Sequence, residues 1–322
     1  MGRDGPAVSA IGLGCMGLVD GYYGPVSDDQ ADRAVGQALD LGINLFDTAD
    51  SYGSGEGERR LGHALTGRRD QVFLATKFGL LTEPGSDRVV DGRPGIVRSR
   101  AEDSLRRLGT DTIDLFQLHR IDPQVPVEDT VGAMAELVGE GKVRYVGLSE
   151  ANPEQLRRAM LTHPVVSVQS EYSLFERGVE GGVLAGCVRF GYGLLAFAPL
   201  GKGLLTGKLQ QVRDFDQGDL RSKLPRFGGE HLRRNQELVA ALTASADQLS
   251  ITTAQLALAW LLSRSPAVVP IPGSTSAAHL AENAAAADLD LPAEVISSIE
   301  SAITAESVSG DRYPAGWRLP RG

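Results

Sequence analysis

Eight times along this 322-residue chain a short apolar run gives way to a stretch with helical patterning, and no linker or shift in composition divides the series. The runs occupy 10–14, 43–47, 72–77, 113–118, 143–148, 165–169, 194–198 and 268–271. Between them lie helix signals. Ser27-Asp28-Asp29-Gln30 is a capping box, and Asn152-Pro153-Glu154-Gln155 combines a cap, a first-turn proline and a glutamine at the third position. Val97, Ala101, Leu105 and Leu108 share one helical face, as do Val127, Val131, Met134 and Val138. Strict alternation argues for a parallel sheet, and eight strands are the number that closes one. The expectation is a (β/α)₈ barrel, one domain over 1–322. Extra helices follow the seventh strand (232–249 and 253–263, after a glycine-rich, charged connection at 201–229) and fill the tail (293–303). The competitor is a doubly wound open sheet.

Composition narrows the function. At 42% hydrophobic the chain can bury a full core, and a barrel of this length is commonly one domain. A net charge of −9 and a pI near 5.2, with no basic run, leave no footprint for nucleic acid or an anionic membrane surface. No apolar run approaches a membrane span and residues 1–6 show no signal-peptide pattern, so the simplest location is the cytoplasm. Cys15 and Cys187 are far apart, and the five histidines occur singly, so no metal site or disulfide framework is expected. Nothing in the sequence reads out the oligomeric state.

Two short motifs imitate known sites. Gly12-Leu13-Gly14-Cys15-Met16-Gly17 fits GxGxxG after a strand, yet Leu18 to Pro25 intervenes before any helix and no acidic residue follows at the required distance. The glycines are better read as letting the chain pass close to a ligand or a neighbouring strand. Gly147-Leu148-Ser149-Glu150-Ala151 approximates a nucleophile elbow, but the late histidines, His231 and His279, sit in helical stretches.

The chemistry gathers at strand ends. Asp47 ends the second strand, Tyr52 follows in its loop, Lys77 ends the third and His119 ends the fourth. In a barrel these positions share one rim. A phenol there can donate a proton to a carbonyl oxygen taking up negative charge. A nearby ammonium is expected to lower the phenol's pKa, Asp47 to hold Lys77, and His119 to orient the carbonyl. The side chains supply no reductant, so a hydride-carrying cofactor is implied.

These residues sit in a larger set of motifs: Asp-Thr-Ala-Asp-Ser-Tyr-Gly at 47–53, Ala-Thr-Lys-Phe-Gly at 75–79, Asp-Leu-Phe-Gln-Leu-His-Arg at 114–120 and Gly-Lys-Val-Arg-Tyr-Val-Gly-Leu-Ser-Glu at 141–150. Val-Gln-Ser-Glu-Tyr-Ser-Leu at 168–174, Ala-Pro-Leu-Gly-Lys-Gly-Leu-Leu-Thr-Gly at 198–207 and Ile-Pro-Gly-Ser at 271–274 complete it. With Gly12–Gly17, the set resembles the aldo-keto reductases, most closely the microbial branch with the Gly-Leu-Ser-Glu version of the strand-five motif. The resemblance implies reduction of an aldehyde or ketone by NADP(H) lying across the C-terminal rim, with Tyr52 as general acid and Asp47, Lys77 and His119 as its partners. It also implies that Ser149 and Gln169 hold the nicotinamide carboxamide, that Phe197 stacks on the ring, and that Pro199, Leu200, Gly201 and Gly203 wrap the pyrophosphate. Glu282 and Asn283 fall at the adenine end, and Met16, Gly273, Thr275 and His279 also fall at the cofactor.

Two departures stand out. Glu150 takes the place of an asparagine beside the carboxamide. No arginine follows Ile-Pro-Gly to pair a 2′-phosphate, where Thr275, Ser276 and His279 stand instead. The channel-subunit branch uses a lysine and an arginine from the strand-seven loop, a role open to Lys208 and Arg221, and NAD(H) stays as the alternative cofactor. That branch also keeps open a second function, a nicotinamide-binding regulatory or redox-sensing subunit. Tyr22, Tyr23, Phe78 and Arg120 are the expected substrate walls, and the tail 311–317 is a candidate cover for the rim.

Overall fold

Strands β1 (Leu13–Gly14), β2 (Leu45–Asp47), β3 (Phe73–Phe78), β4 (Ile113–Leu118), β5 (Val143–Ser149), β6 (Val165–Glu171), β7 (Gly193–Phe197) and β8 (Val268–Pro270) form one sheet, ordered as in the sequence, with every neighbouring pair parallel. The computed structural model describes residues 1–2, 5–81, 89–209, 215 and 218–317, so part of the 201–229 connection and the last residues of the tail lie outside the described residues. The sheet's two edges meet. Gly12 N–H donates to the Pro270 carbonyl at 2.9 Å and Gly14 N–H to the Pro272 carbonyl at 3.2 Å, and this seam makes the sheet a barrel. Pro270 and Pro272 have no N–H to return, so the ladder there is one-sided and β1 and β8 are shorter than expected.

Helices cover the outside: α1 (Asp28–Asp40), α2 (Glu56–Ala64), α3 (Pro94–Leu108), α4 (Val127–Gly139), α5 (Pro153–Thr162), α6 (Val183–Phe190), α7 (Gly229–Gln248), α8 (Thr253–Arg264), α9 (Ala277–Ala285) and α10 (Ala293–Ala302). Capping boxes form at Ser27/Gln30 and Asn152/Gln155, and a third, not anticipated, at Thr252/Gln255. A short antiparallel pair, Leu80–Leu81 with Val89–Val90, was also not anticipated. No described helix is long and apolar enough to cross a membrane.

Side-chain alternation sorts the core into two layers. Leu45, Phe73, Ala75, Leu115, Leu195, Val269 and Ile271 fill the barrel interior, where Met1 and Val8 pack against them. Leu74, Phe78, Phe116, Val146, Leu148 and Leu194 face the helices instead. Phe78 is therefore no pocket wall. It is fully buried and stacks on Phe116 at 4.6 Å between sheet and helices, because adjacent residues of a strand point to opposite faces and Lys77 takes the inward one.

The seam explains the early glycines. A Cβ on Gly14 would lie 2.6 Å from the Ile271 carbonyl, and one on Gly273 would lie 2.7 Å from the Gly14 carbonyl. On Gly12 it would meet Leu45 at 2.9 Å. These glycines bring one strand close to another. Gly14→Ala is expected to cost roughly 2 kcal/mol by forcing backbone apart at the seam, whereas Gly17→Ala meets only Tyr23 at 3.4 Å and stays near wild type. Thermal unfolding of the two variants checks this.

Candidate active site

The inward positions at the C-terminal ends of the strands are polar. Asp47, Lys77, Gln117, Ser149 and Gln169 succeed one another around the barrel, and all are buried. Lys77 Nζ donates to Asp47 Oδ1 at 2.5 Å, to the Thr48 carbonyl at 2.7 Å and to the Tyr52 hydroxyl at 3.3 Å. The second Asp47 oxygen accepts from Gln117 Nε2 at 3.1 Å and Gln169 Nε2 at 2.7 Å. Tyr52 arrives on a loop whose first residues prolong the ladder, with Thr48 N–H donating to Ala75 and Asp50 N–H to Lys77. His119 extends β4 in the same way by donating its N–H to the Phe78 carbonyl at 2.8 Å. Its ring stands edge-on to Tyr52 at 6.0 Å, and its Nδ1 lies 3.3 Å from the Ser51 hydroxyl. The structure thus brings together all four residues expected at the rim.

Burial pushes the Tyr52 phenol well above its ordinary value, and Asp47 adds to the rise while Arg120 opposes it. The expected lowering by Lys77 does not prevail, because Asp47 balances that ammonium at contact distance and both side chains are buried. The phenol is held protonated.

A cavity of about 630 Å³ opens above this layer. Asp47, Tyr52, His119, Ser149, Gln169 and Phe197 line its inner end with Met16, Tyr22, Tyr23 and Arg120. Pro199, Leu200, Gly203, Lys208 and Arg221 line the strand-seven loop, and Gly273, Thr275, His279, Glu282 and Asn283 the last strand-helix unit. Lys208 Nζ lies 3.3 Å from His279 Nε2 and 3.5 Å from Glu282, so these three stand together on the cavity wall. Arg221 is paired with Asp219 at 2.7 Å and packs on the Phe215 ring.

Two expected cofactor contacts fall elsewhere. Gly201 is not on the cavity wall; it is buried, with φ of +56° and its N–H bonded to Ala198, and so bends the loop rather than touching what lies inside. Glu150 is turned away by a left-handed backbone, φ +53°, accepts from Glu171 N–H at 3.0 Å and pairs with Arg312 at 3.2 Å.

That pairing belongs to a cluster not foreseen. Glu171, at the end of β6, meets Lys202 at 3.1 Å and Arg312 at 2.6 Å. Burial alone would raise its carboxyl, but Lys202, Arg312 and Arg226 outweigh burial and hold it at about 2. The cluster seats the tail on the rim, where Tyr313 becomes part of the cavity wall. Lys202 also lines the cavity, and no local pattern distinguishes it from a surface lysine.

The model of the Aldo/keto reductase family matches residues 10–304. The aldo-keto reductase yakc of Schizosaccharomyces pombe, whose name carries NADP(+), is 39% identical over 315 residues, 96% of this chain and 92% of its own. A glycerol dehydrogenase structure from Gluconobacter oxydans superposes with a TM-score of 0.84 at 30% identity, covering 94% of each chain. An aldo/keto reductase from Klebsiella pneumoniae, solved with NADP and acetate, gives 0.70 at 29% identity, covering 98% of this chain and 95% of that one. The chain belongs to the aldo/keto reductase family.

Two predictions concern this rim. Arg312→Met leaves Glu150 and Glu171 short of a cation inside the protein, so it is expected to cost roughly 3 kcal/mol in chemical denaturation and to release Tyr313 from the wall, raising KM for a carbonyl substrate. Asp50, beside Tyr52, is buried with no partner for Oδ1 among the described residues, and burial followed by the Glu58 charge raises its carboxyl to about 7. Between about pH 4 and 7 the folded chain keeps a proton that the unfolded chain has lost, so this group's effect is falling stability as pH rises. Asp50→Asn should therefore raise Tm at pH 8 and change it little at pH 4.

Proposed function

We propose that the protein reduces an aldehyde or ketone to an alcohol with NADPH, Tyr52 supplying the proton. The observation that carries this reading is the Tyr52 hydroxyl 3.3 Å from the Lys77 ammonium, at the inner end of a cavity whose wall includes His119. Bound NADPH supplies the hydride to the carbonyl carbon. The residues present fit that cofactor. Gln169 has committed its amide nitrogen to Asp47 and presents its oxygen to a carboxamide, Ser149 presents a hydroxyl, and Phe197 offers a ring at the same end. Lys208 and His279 meet at the other end, where a further phosphate needs donors. The NADP(+) in the fission-yeast relative's name and the NADP in the Klebsiella structure support NADP(H) over NAD(H).

On this reading Tyr52 and His119 hold the carbonyl oxygen. As the carbon gains the hydride pair the oxygen becomes alkoxide-like, a base strong enough to take the proton from a phenol of raised pKa. The phenolate left behind lies beside Lys77, which Asp47 holds in place. Asp47, Lys77 and His119 are buried, which limits the access of water to them.

Tyr52→Phe is expected to lower kcat at least about 100-fold with NADPH binding retained, the range seen for loss of a general acid. Because burial keeps the phenol protonated, kcat for reduction should stay flat from about pH 6 to 9 and fall only above that. NADPH oxidation with an aldehyde panel measures both. Tight NADPH binding without turnover of any carbonyl would instead make the chain a nicotinamide-binding subunit.

A further inference from the structure

Arg120 carries a charge that no described residue neutralises. The residue follows His119 directly, is 9% exposed and forms part of the cavity wall. Its Nη1 donates to the His119 carbonyl at 2.6 Å and to the Ser149 hydroxyl at 3.2 Å, both neutral acceptors. Among the described residues no carboxylate forms an ion pair with it, and nothing accepts from its Nε or Nη2. The other cations on the cavity wall each have a partner: Lys202 has Glu171 at 3.1 Å, Lys208 has Glu282 at 3.5 Å and Arg221 has Asp219 at 2.7 Å. Lys77, beneath, has Asp47 at 2.5 Å.

A desolvated cation without a counter-charge is costly, and arginine cannot shed its proton to escape the cost. A fold that keeps one facing a cavity has a place for an anion. On the functional reading proposed above, the cofactor cannot supply that anion. Its carboxamide is neutral, and the residues that would hold its phosphates belong to the strand-seven loop and the last strand-helix unit rather than to the surroundings of His119. The anion must arrive with the substrate. One unmatched positive charge suits one negative charge, and the free edge of a guanidinium suits the planar, two-oxygen face of a carboxylate.

We infer that the substrate is a carbonyl acid and that Arg120 binds its carboxylate while Tyr52 and His119 take the carbonyl oxygen. The inference deepens the proposed reductase activity and rests on it for the position of the carbonyl. Arg120 also braces the groups next to it. Through Nη1 it fixes the His119 main chain and the Ser149 hydroxyl, so carboxylate binding falls to Nε and Nη2.

The test uses three acid and methyl-ester pairs of increasing carbonyl-to-carboxylate spacing: pyruvate and methyl pyruvate, succinic semialdehyde and its ester, and para-formylbenzoate and its ester. Binding to the NADP(+)-loaded protein and NADPH-dependent turnover are both measured, for wild type and for Arg120→Gln. At least one acid should bind, or show a kcat/KM, tenfold or more above its ester. Arg120→Gln should reduce that acid-to-ester ratio at least tenfold, as expected for loss of a charge-assisted pair. Arg120→Lys, which keeps the charge without the fork, should fall between. Ratios near one for every pair in the wild type overturn the inference, as does a ratio that Arg120→Gln leaves unmoved; Arg120 is then a brace only. Should the variant fail to fold, the wild-type ratios decide alone. Turnover of esters without preference for acids leaves the reductase standing and removes the carboxylate site. Selective acid binding without any turnover does the reverse.

Discussion

One buried ion pair, Asp47 with Lys77, organises the rim of this barrel. Both side chains are almost wholly withdrawn from water, where either charge alone would cost several kcal/mol. Together they are tolerable because every oxygen of Asp47 is engaged: one by Lys77, the other by Gln117 and Gln169. A single carboxylate therefore ties residues from four strands into one layer. It also sets the character of the neighbouring phenol. Lys77 sits 3.3 Å from the Tyr52 hydroxyl, yet its charge is already balanced, so burial governs the phenol and keeps its proton on. The lysine is better suited to receive a phenolate once formed than to create one beforehand.

Much of this was legible in the sequence, for a definite reason. The barrel's strands alternate in and out, so a polar residue at an inward position near a strand's end must face the rim, and Asp47, Lys77, His119, Ser149 and Gln169 all do. The same rule, ignored at one position, misplaced Phe78: it follows Lys77, and the next residue of a strand cannot share its neighbour's face. Glu150 was misplaced for a different reason. It occupies a motif position associated with the cofactor, but its backbone enters the left-handed region and its side chain finds Arg312, 162 residues later. No local pattern announces a partner so distant. The short antiparallel pair after β3 was not foreseen because two-residue strands carry no periodicity.

The rim departs from ideal geometry where the loops leave the strands. Glu150, Ala198 and Lys202 all take positive φ without being glycine, at 53°, 48° and 57°. Such conformations persist when surrounding contacts over-determine them, and they concentrate at binding sites. Two of the three have their side chains tied into the ion cluster around Glu171, which also fixes the tail. Backbone bends and buried charge are thus parts of one arrangement, and the wall contributed by Tyr313 depends on it.

The seam between β1 and β8 bears on how the chain reaches this form. Gly12 and Gly14 cannot find their carbonyl partners until Pro270 and Pro272 have left the ribosome. Until then the growing sheet has two open edges, with unpaired backbone groups ready to recruit another nascent chain. Synthesis from one end postpones the closing contact until the eighth strand has emerged, and loop closure over so many residues is slow. The newborn protein is therefore most exposed to misassembly in the interval when seven strands exist and the eighth does not.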